Sequence, residues 1–203
     1  MKKALITGGN GDIAKAIAVL LGQEGYEVFA PGRQEMDVRN YEQVTQVVSK
    51  FQPDLLINNA GYIKVNNIAD TDIAIEKQSI DINLIGTFNC TNAVLKANPN
   101  AKIINIGSSA GTKVHGGWSA YCASKAAVIM ATKCWADEGV DVLCVSPGRT
   151  VSKMRKSLFP DEDQSTLLKA EDFAKIVIKA IHEEYPKGSN VDVNIQNIKE
   201  LLK

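Results

Sequence analysis

The chain has 203 residues, of which 45% are hydrophobic and 23% charged, and its 23 basic residues balance 23 acidic ones. This composition is typical of a globular protein with one hydrophobic core, and the balanced charge disfavours nucleic acid or an anionic membrane as a partner. Four scattered cysteines and two histidines lack metal-ligand spacing, so we expect no metal site and a reducing, cytoplasmic location. No run, including the N-terminal "MKKALITGG", has the apolar length of a signal peptide or a membrane span.

Short apolar runs alternate with segments of helical periodicity along the chain. Strands are predicted at 3–7, 26–32, 53–61, 101–107, 140–148 and 189–195, and helices at 12–25, 40–51, 72–97, 119–139 and 170–185. This order predicts an α/β fold, a Rossmann-type doubly wound parallel sheet in a single domain over residues 1–203, because right-handed crossovers place helices on both faces. Ligands of such sheets bind beyond the carboxyl ends of the strands.

A glycine-rich turn joins the first predicted strand to the first helix in "LITGGNGDIAKAIA" (5–18). Glycines let the backbone approach a diphosphate closely, and a helix N-terminus offers unpaired N–H groups and the positive end of its dipole. A tight turn without a ligand is the alternative. The position between a strand and a helix favours a nucleotide site.

A phenol and an amine lie close together in "GSSAGTKVHGGWSAYCASK" (107–125). Tyr121 and Lys125 are four residues apart on a predicted helix, so both project from one face. A tyrosine has a pKa of about 10, and a nearby ammonium lowers that pKa toward the range useful for acid–base catalysis. A Tyr–Lys pair on a solvated helix face is the alternative.

These motifs, in this order, resemble those of the short-chain dehydrogenase/reductase family from residue 3 to about residue 195. The family's TGxxxGxG turn is matched at Thr7 and Gly8, whereas Asp12 and Ala14 replace its second and third glycines. "NNAG" (58–61), Asn83, Ser108, Tyr121, Lys125 and Pro147-Gly148 then follow in the family's order. The resemblance implies an NAD(P)-dependent oxidoreductase that reduces a carbonyl, or oxidises an alcohol, of a small molecule.

The resemblance also implies four catalytic residues. Tyr121 would give a proton to the substrate oxygen, and Ser108 would donate a hydrogen bond to the same oxygen, with Ser109 as the second choice. Lys125 would lower the pKa of Tyr121 and reach the nicotinamide ribose. Asn83 would link Lys125 to solvent through a water.

The cofactor contacts implied by the resemblance follow the strand ends. Asp37, in a short extra strand expected at "EMDVRN" (35–40), would bond the adenine amino group, and Val38 would lie against the ring. Asp12 is expected near the pyrophosphate, where it can cap the first helix. The full set is Thr7, Gly8, Asp12, Ile13, Arg33, Asp37, Val38, Asn59, Ala60, Gly61, Tyr121, Lys125, Pro147, Gly148 and Val151.

The residues after the second strand favour NADP(H) over NAD(H). NAD-specific sites carry an acidic residue there, but this chain has Gly32, followed by Arg33. A guanidinium can hold a 2′-phosphate with forked hydrogen bonds. Glu35 lies close enough in sequence to leave NAD(H) as the alternative.

Residues 149–169 are expected to form a substrate lid, and His115 is either a substrate contact or a solvent-facing loop residue. Four cations, at Arg149, Lys153, Arg155 and Lys156, allow an acidic or phosphorylated substrate, with a solvated lid as the alternative. A sugar or polyol-phosphate reductase and a non-catalytic, dinucleotide-sensing regulator remain as other functions. The resemblance further implies a homodimer or homotetramer built on the helices that carry Asn83 and Tyr121, without nucleic-acid or membrane partners.

Overall fold

The six strands of the computed structural model, which describes residues 1–203, form one parallel sheet in the order β2-β1-β3-β4-β5-β6. They are β1 (Lys3–Ile6), β2 (Glu27–Phe29), β3 (Leu55–Asn58), β4 (Lys102–Ile106), β5 (Val142–Pro147) and β6 (Asn190–Val193). Leu5 pairs with Phe29 of β2 on one side and with Leu56 of β3 on the other. The strand order therefore reverses at β1, which opens a crevice at the carboxyl ends of β1 and β3. The predicted doubly wound sheet is confirmed.

Helices cover both faces of the sheet. They are α1 (Asp12–Gln23), α2 (Tyr41–Phe51), α3 (Ile73–Ile80), α4 (Gly86–Ala97), α5 (Ser119–Asp137), α6 (Lys153–Leu158), α7 (Ala170–Ile181) and α8 (Ile198–Leu201). A π-helical turn (Asp81–Ile85) joins α3 to α4, so the helix predicted over 72–97 is continuous. None of the helices combines the length and the apolar character needed to cross a bilayer.

Two hydrophobic cores fix the sheet between its helices. Ala4 and Ile6 of β1 point into the core that contains α1 and α7, where Phe173 is fully buried. Leu5 points to the opposite face, into the core formed with α2 and α4. Because alternate residues of β1 are buried on opposite faces, a register slip of one residue would exchange the two sets. The positions of the end of β1 and of the turn after it are therefore fixed relative to the neighbouring strands.

The extra strand expected at 35–40 is wrong. Residues 30–40 form turns between β2 and α2, in which Asp37 accepts hydrogen bonds from Arg39, while Asn40 caps α2. A parallel crossover needs about a dozen residues or more, usually including a helix. The link between β2 and α2 is too short for that, so β2 remains the edge of the sheet.

The turn after β1 depends on two glycines. Gly8 has a φ of +67°, a left-handed conformation that favours glycine. At Gly9 an added Cβ would overlap the carbonyl oxygen of Ala30, because the turn packs directly against the chain leaving β2. The close approach explains why this turn is glycine-rich before any ligand is considered.

Replacing Gly9 with alanine should destabilise the protein by about 1–3 kcal/mol, the usual cost of overpacking. Gly22, near the end of α1, has no atom within 4 Å of an added Cβ. The matched Gly22→Ala change should therefore stabilise by about 0.5 kcal/mol, because alanine loses less backbone entropy. Urea unfolding of both variants tests this, and equal stabilities would contradict the contact with Ala30.

Candidate active site

A cavity of about 430 Å³ lies in the crevice beyond β1 and β3, between the glycine-rich turn and α5. All but three of the predicted cofactor contacts line it, although they come from five separate parts of the chain. These are Gly8, Asp12, Ile13, Arg33, Asp37, Val38, Asn59, Ala60, Gly61, Tyr121, Lys125 and Pro147. The fold thus brings together most of the residues that the sequence analysis assigned to one ligand.

The other three predicted contacts lie elsewhere. Thr7 is buried, and its hydroxyl accepts hydrogen bonds from the backbone N–H groups of Asn59 (3.0 Å) and Ala60 (2.9 Å). Gly148 lines a second cavity on the far side of Tyr121, and Val151 lines a third between α1 and α7. Thr7 therefore positions the lining of the first cavity from beneath.

The start of α1 carries no side-chain cap. Asp12 does not cap this helix as expected; its carboxylate Oδ2 accepts a hydrogen bond of 2.6 Å from the backbone N–H of Lys153, the first residue of α6. This contact joins the glycine-rich turn to the 149–169 segment. The first N–H groups of α1 are left without a side-chain partner, as an anion site requires.

The predicted acid–base residues meet where two cavities adjoin. Tyr121 lines both the first cavity and the second, which has a volume of about 500 Å³. Ser108 lies on the second cavity, whereas Lys125, only 5% exposed, lies on the first. The Lys125 Nζ atom donates a 2.7 Å hydrogen bond to the Ile106 carbonyl and is 5.9 Å from the centre of the Tyr121 ring.

Burial governs the protonation of this pair. It raises the pKa of the Tyr121 phenol above its ordinary value, and the nearby Ser108 hydroxyl only partly offsets this effect. It also lowers the pKa of Lys125 to about 8. Desolvation is the largest effect on the pKa of Tyr121, and the predicted role of Lys125 in stabilising the phenolate stays a prediction. Tyr121 is thus a phenol at neutral pH and can donate a proton.

Asn83 lies in the π-helical turn and is fully buried. Its side chain accepts a hydrogen bond from the Tyr62 N–H (2.7 Å) and donates to the Tyr62 carbonyl (2.9 Å) and to the Ser124 hydroxyl (3.1 Å). It therefore ties the loop after β3 to α5 beside Lys125. A π-helical turn within an α-helix is frequent at functional sites. The predicted water relay through Asn83 stays a prediction.

An aromatic wall, formed by His115, Trp118 and Phe159, borders the second cavity. The ring centres of His115 and Trp118 are 4.7 Å apart in a stacked arrangement, and Phe159 is 6.1 Å from Trp118. Trp118 also meets the Tyr121 ring edge-on at 5.9 Å. The sequence analysis missed Trp118 and Phe159; the position of Trp118, one helical turn before Tyr121, was the available signal.

The four cations of the 149–169 segment do not form one cluster. Only Arg149 and Arg155 line the second cavity, and both are paired with Glu162. The Arg155 pair is bidentate, with distances of 2.6 and 2.7 Å. Lys153 and Lys156 line the other cavities. The carboxylate that neutralises the arginines was not identified from the sequence.

Two carboxylates beside Arg33, at one end of the first cavity, are bound by the protein itself. Asp37 is held by Arg39, which lowers the pKa of its carboxyl to about 2, and it accepts a longer bond of 3.3 Å from Arg33. Glu35 accepts from the backbone N–H of Gly32 at 2.8 Å. The Arg33 side chain is 67% exposed at the cavity, so its guanidinium keeps donors free.

Known proteins match both the sequence and this geometry. Residues 33–163 match the short chain dehydrogenase family. The chain belongs to the short-chain dehydrogenase/reductase family. It is 31% identical to a 3-oxoacyl-[acyl-carrier-protein] reductase of Vibrio cholerae, with 82% of this chain and 80% of that protein covered.

Two solved structures of the same fold contain a nicotinamide dinucleotide. ElxO with NADP bound is 25% identical, with a TM-score of 0.83 over 95% of this chain and 96% of that one. A 4-hydroxyisoleucine dehydrogenase complexed with NADH is 24% identical, with the same TM-score and the same shares covered. As a family member, this chain is an NAD(P)-dependent dehydrogenase/reductase.

Replacing Asp12 with alanine should loosen α6 from the glycine-rich turn. Loss of a side-chain acceptor at a helix N-terminus costs about 1 kcal/mol. This corresponds to an increase of about fivefold in the equilibrium constant for detachment of α6 from the turn. Trypsin should then cleave at Arg155 or Lys156 about fivefold faster, as measured by mass spectrometry. Asp12→Asn keeps an acceptor oxygen and should stay near the wild-type rate; equal rates for Asp12→Ala and the wild type would refute the contact.

Proposed function

We propose that this chain is an NADPH-dependent reductase of small-molecule carbonyls, which works in reverse as an alcohol dehydrogenase. The observation that carries the proposal is the place of Tyr121 at the junction of two cavities, with Lys125 on one side and Ser108 on the other. One cavity then holds the cofactor and the other the substrate. A proton donor between them can act on the oxygen of a carbonyl that is being reduced.

The first cavity fits a dinucleotide. The N-terminus of α1, free of a capping side chain, supplies N–H donors and the positive end of the helix dipole for a diphosphate. Gly8 and Gly61 line the cavity on the two sides of the crevice. The carboxylate of Asp12 is engaged by the Lys153 N–H, which reduces its repulsion of an anionic ligand. Bound NADPH would supply the hydride.

The chain's own residues then handle the substrate oxygen and the proton. Ser108 donates a hydrogen bond to the carbonyl oxygen, where negative charge develops. Tyr121 transfers its proton to that oxygen and becomes a phenolate, so that carbonyl, hydride and proton together give the alcohol. The Lys125 ammonium stabilises this phenolate, and Asn83 with a water returns a proton from solvent. Burial of the phenol keeps Tyr121 protonated at neutral pH, the form that donates a proton in the reductive direction.

The preference for NADPH is proposed from Arg33. Its guanidinium is exposed at the cavity, whereas the neighbouring carboxylates of Glu35 and Asp37 are bound by Gly32 and Arg39. A 2′-phosphate would find a forked donor there, and a 2′-hydroxyl would find no free carboxylate of these two.

Several further features are part of the proposal. The 149–169 segment acts as a lid, because Ser152 and Met154 border both cavities.

Exposed apolar side chains on or beside α4 and α5, namely Ile85, Phe88 and Met130, favour a homodimer or homotetramer through these helices. Four free cysteines suit a reducing cytoplasm. The complete Ser108–Tyr121–Lys125 set disfavours a non-catalytic regulator.

The cofactor preference predicts a difference in thermal shift. NADP⁺ should raise the melting temperature clearly more than NAD⁺ at equal concentration, because a ligand stabilises by RT ln(1 + [L]/Kd). Arg33→Ala should weaken NADP⁺ binding about 10–100-fold, the loss of a charge-assisted bidentate contact, and leave NAD⁺ binding nearly unchanged. Arg149→Ala, an exposed arginine on the other cavity, is the matched control. A larger shift with NAD⁺ would overturn the preference.

Replacing Tyr121 with phenylalanine tests the reaction itself. It should lower kcat for reduction of diacetyl by NADPH about 100–10,000-fold, the usual worth of a proton donor, while cofactor binding persists. Tyr185→Phe, away from both cavities, should retain activity. Because the raised pKa keeps Tyr121 protonated, alcohol oxidation by the wild type should rise with pH through the neutral range, whereas reduction should not. Unchanged reduction by Tyr121→Phe would refute the mechanism.

A further inference from the structure

We infer, resting on the proposed function, that the substrate is an uncharged carbonyl compound bearing an aryl group, and that Trp118 selects it. The aromatic wall of the second cavity carries this inference. Trp118 stands directly before α5 and meets the catalytic tyrosine edge-on at 5.9 Å. Whatever carbonyl is bonded by Ser108 and Tyr121 must place its adjacent substituent near this ring.

The geometry of the wall suits a flat ring. Trp118 and Phe159 are half-buried, with ring centres 6.1 Å apart, within the range of about 4.5–7 Å that aromatic pairs prefer. Phe159 comes from the 149–169 segment and Trp118 from the start of the catalytic helix. A substrate ring lying on this wall would therefore contact both the 149–169 segment and the start of α5, and its contacts would favour closure of the segment. Ile13, Ile63 and Leu158 add apolar lining.

The polar groups of the 149–169 segment are largely satisfied within the protein. The Arg155 guanidinium donates hydrogen bonds along one edge to the Glu162 carboxylate, and it lies 4.1 Å from the centre of the Phe159 ring. The Thr150 hydroxyl donates to the Gly148 carbonyl, and the Ser152 hydroxyl caps α6. Arg155 thus holds Phe159 in place, and the Glu162 carboxylate already neutralises the charge that would attract a substrate anion. A phosphorylated or polyhydroxylated substrate finds few free partners on this side.

The hydroxyls of Ser108 and Tyr121 lie at the other end of the cavity. Ser108 accepts a hydrogen bond from the Ala110 N–H, and its hydroxyl lies close enough to the Tyr121 phenol to lower the pKa of that phenol. The cavity is therefore polar where a carbonyl oxygen would be reduced and aromatic beyond it. This division is complementary to an aryl ketone or aryl diketone.

A matched pair of substrates tests the inference. Acetyl benzoyl differs from diacetyl by a phenyl group in place of a methyl group, and the wild type should reduce it with at least about tenfold higher kcat/KM. Trp118→Ala should lower this phenyl-to-methyl ratio about tenfold, whereas Trp118→Phe should keep it within about threefold of the wild type. Trp135→Phe, at the chain's only other tryptophan, should leave the ratio unchanged.

A binding measurement separates this inference from the proposed function. In Trp135→Phe protein the remaining tryptophan is Trp118, so titration with acetophenone should quench its fluorescence, and acetone at equal concentration should not. Quenching without reduction of either diketone would leave the aryl site standing and refute the proposed reaction. Reduction with equal kcat/KM for both diketones would refute the aryl site alone. A higher kcat/KM for dihydroxyacetone phosphate or for acetoacetyl-coenzyme A than for acetyl benzoyl would also refute it.

Discussion

The crevice of this protein depends on one buried hydroxyl. Thr7, directly after β1, accepts hydrogen bonds from the N–H groups of Asn59 and Ala60, directly after β3. These strands are neighbours at the point where the strand order reverses. The width of the crevice beyond their ends is therefore set by contacts between the residues that directly follow them. The Asn59 side chain returns a bond of 3.0 Å to the Thr7 carbonyl. Both walls of the first cavity are built on this reciprocal contact.

A second buried polar network connects that crevice to the catalytic helix. Asn83 bonds both backbone groups of Tyr62 and reaches Ser124, whose neighbour Lys125 is bonded to the end of β4. Buried polar groups are costly unless they are satisfied, and a satisfied network specifies a unique arrangement. The position of Tyr121 relative to Ser108 is therefore set from two directions, by the sheet and by the π-helical turn. Such rigidity suits a site in which a proton must be delivered to one atom.

The 149–169 segment is held in a different way. Leu168, near its end, is fully buried in the core, whereas α6 and the residues after it contact the rest of the site through the carboxylate of Asp12 and through the ring of Phe159 against Trp118. Asp12 replaces a glycine of the family turn, and its charge is directed away from the start of α1 by the Lys153 N–H. Asp12 departs from the family's glycine pattern, but with its carboxylate bonded in this way it is compatible with an anion site at the start of α1.

Much of the fold followed from the sequence alone. The alternation of short apolar runs and amphipathic segments predicted every strand of the sheet and all the long helices, because core burial imposes periods of 2 and about 3.6 residues. The prediction of an extra strand at 35–40 was wrong because it followed the family pattern. Asp37 and Val38 are present, but the chain lacks the crossover that would place them in a strand of the sheet. Motif order likewise placed Tyr121, Lys125 and Ser108 at one end of the sheet.

The tertiary structure decided what those residues experience. Whether Lys125 or burial controls the pKa of Tyr121, and whether Arg155 is free or bonded to Glu162, depends on distances of a few ångströms between distant segments. The bond from Lys153 to Asp12 spans 141 positions, and the pairing of Trp118 with Phe159 joins the start of α5 to the 149–169 segment. Sequence determined the elements and the identity of the reacting groups, because local periodicity and motif spacing act within a few residues. Only folding determined their charges and neighbours, because desolvation and long-range contacts do not exist in the unfolded chain.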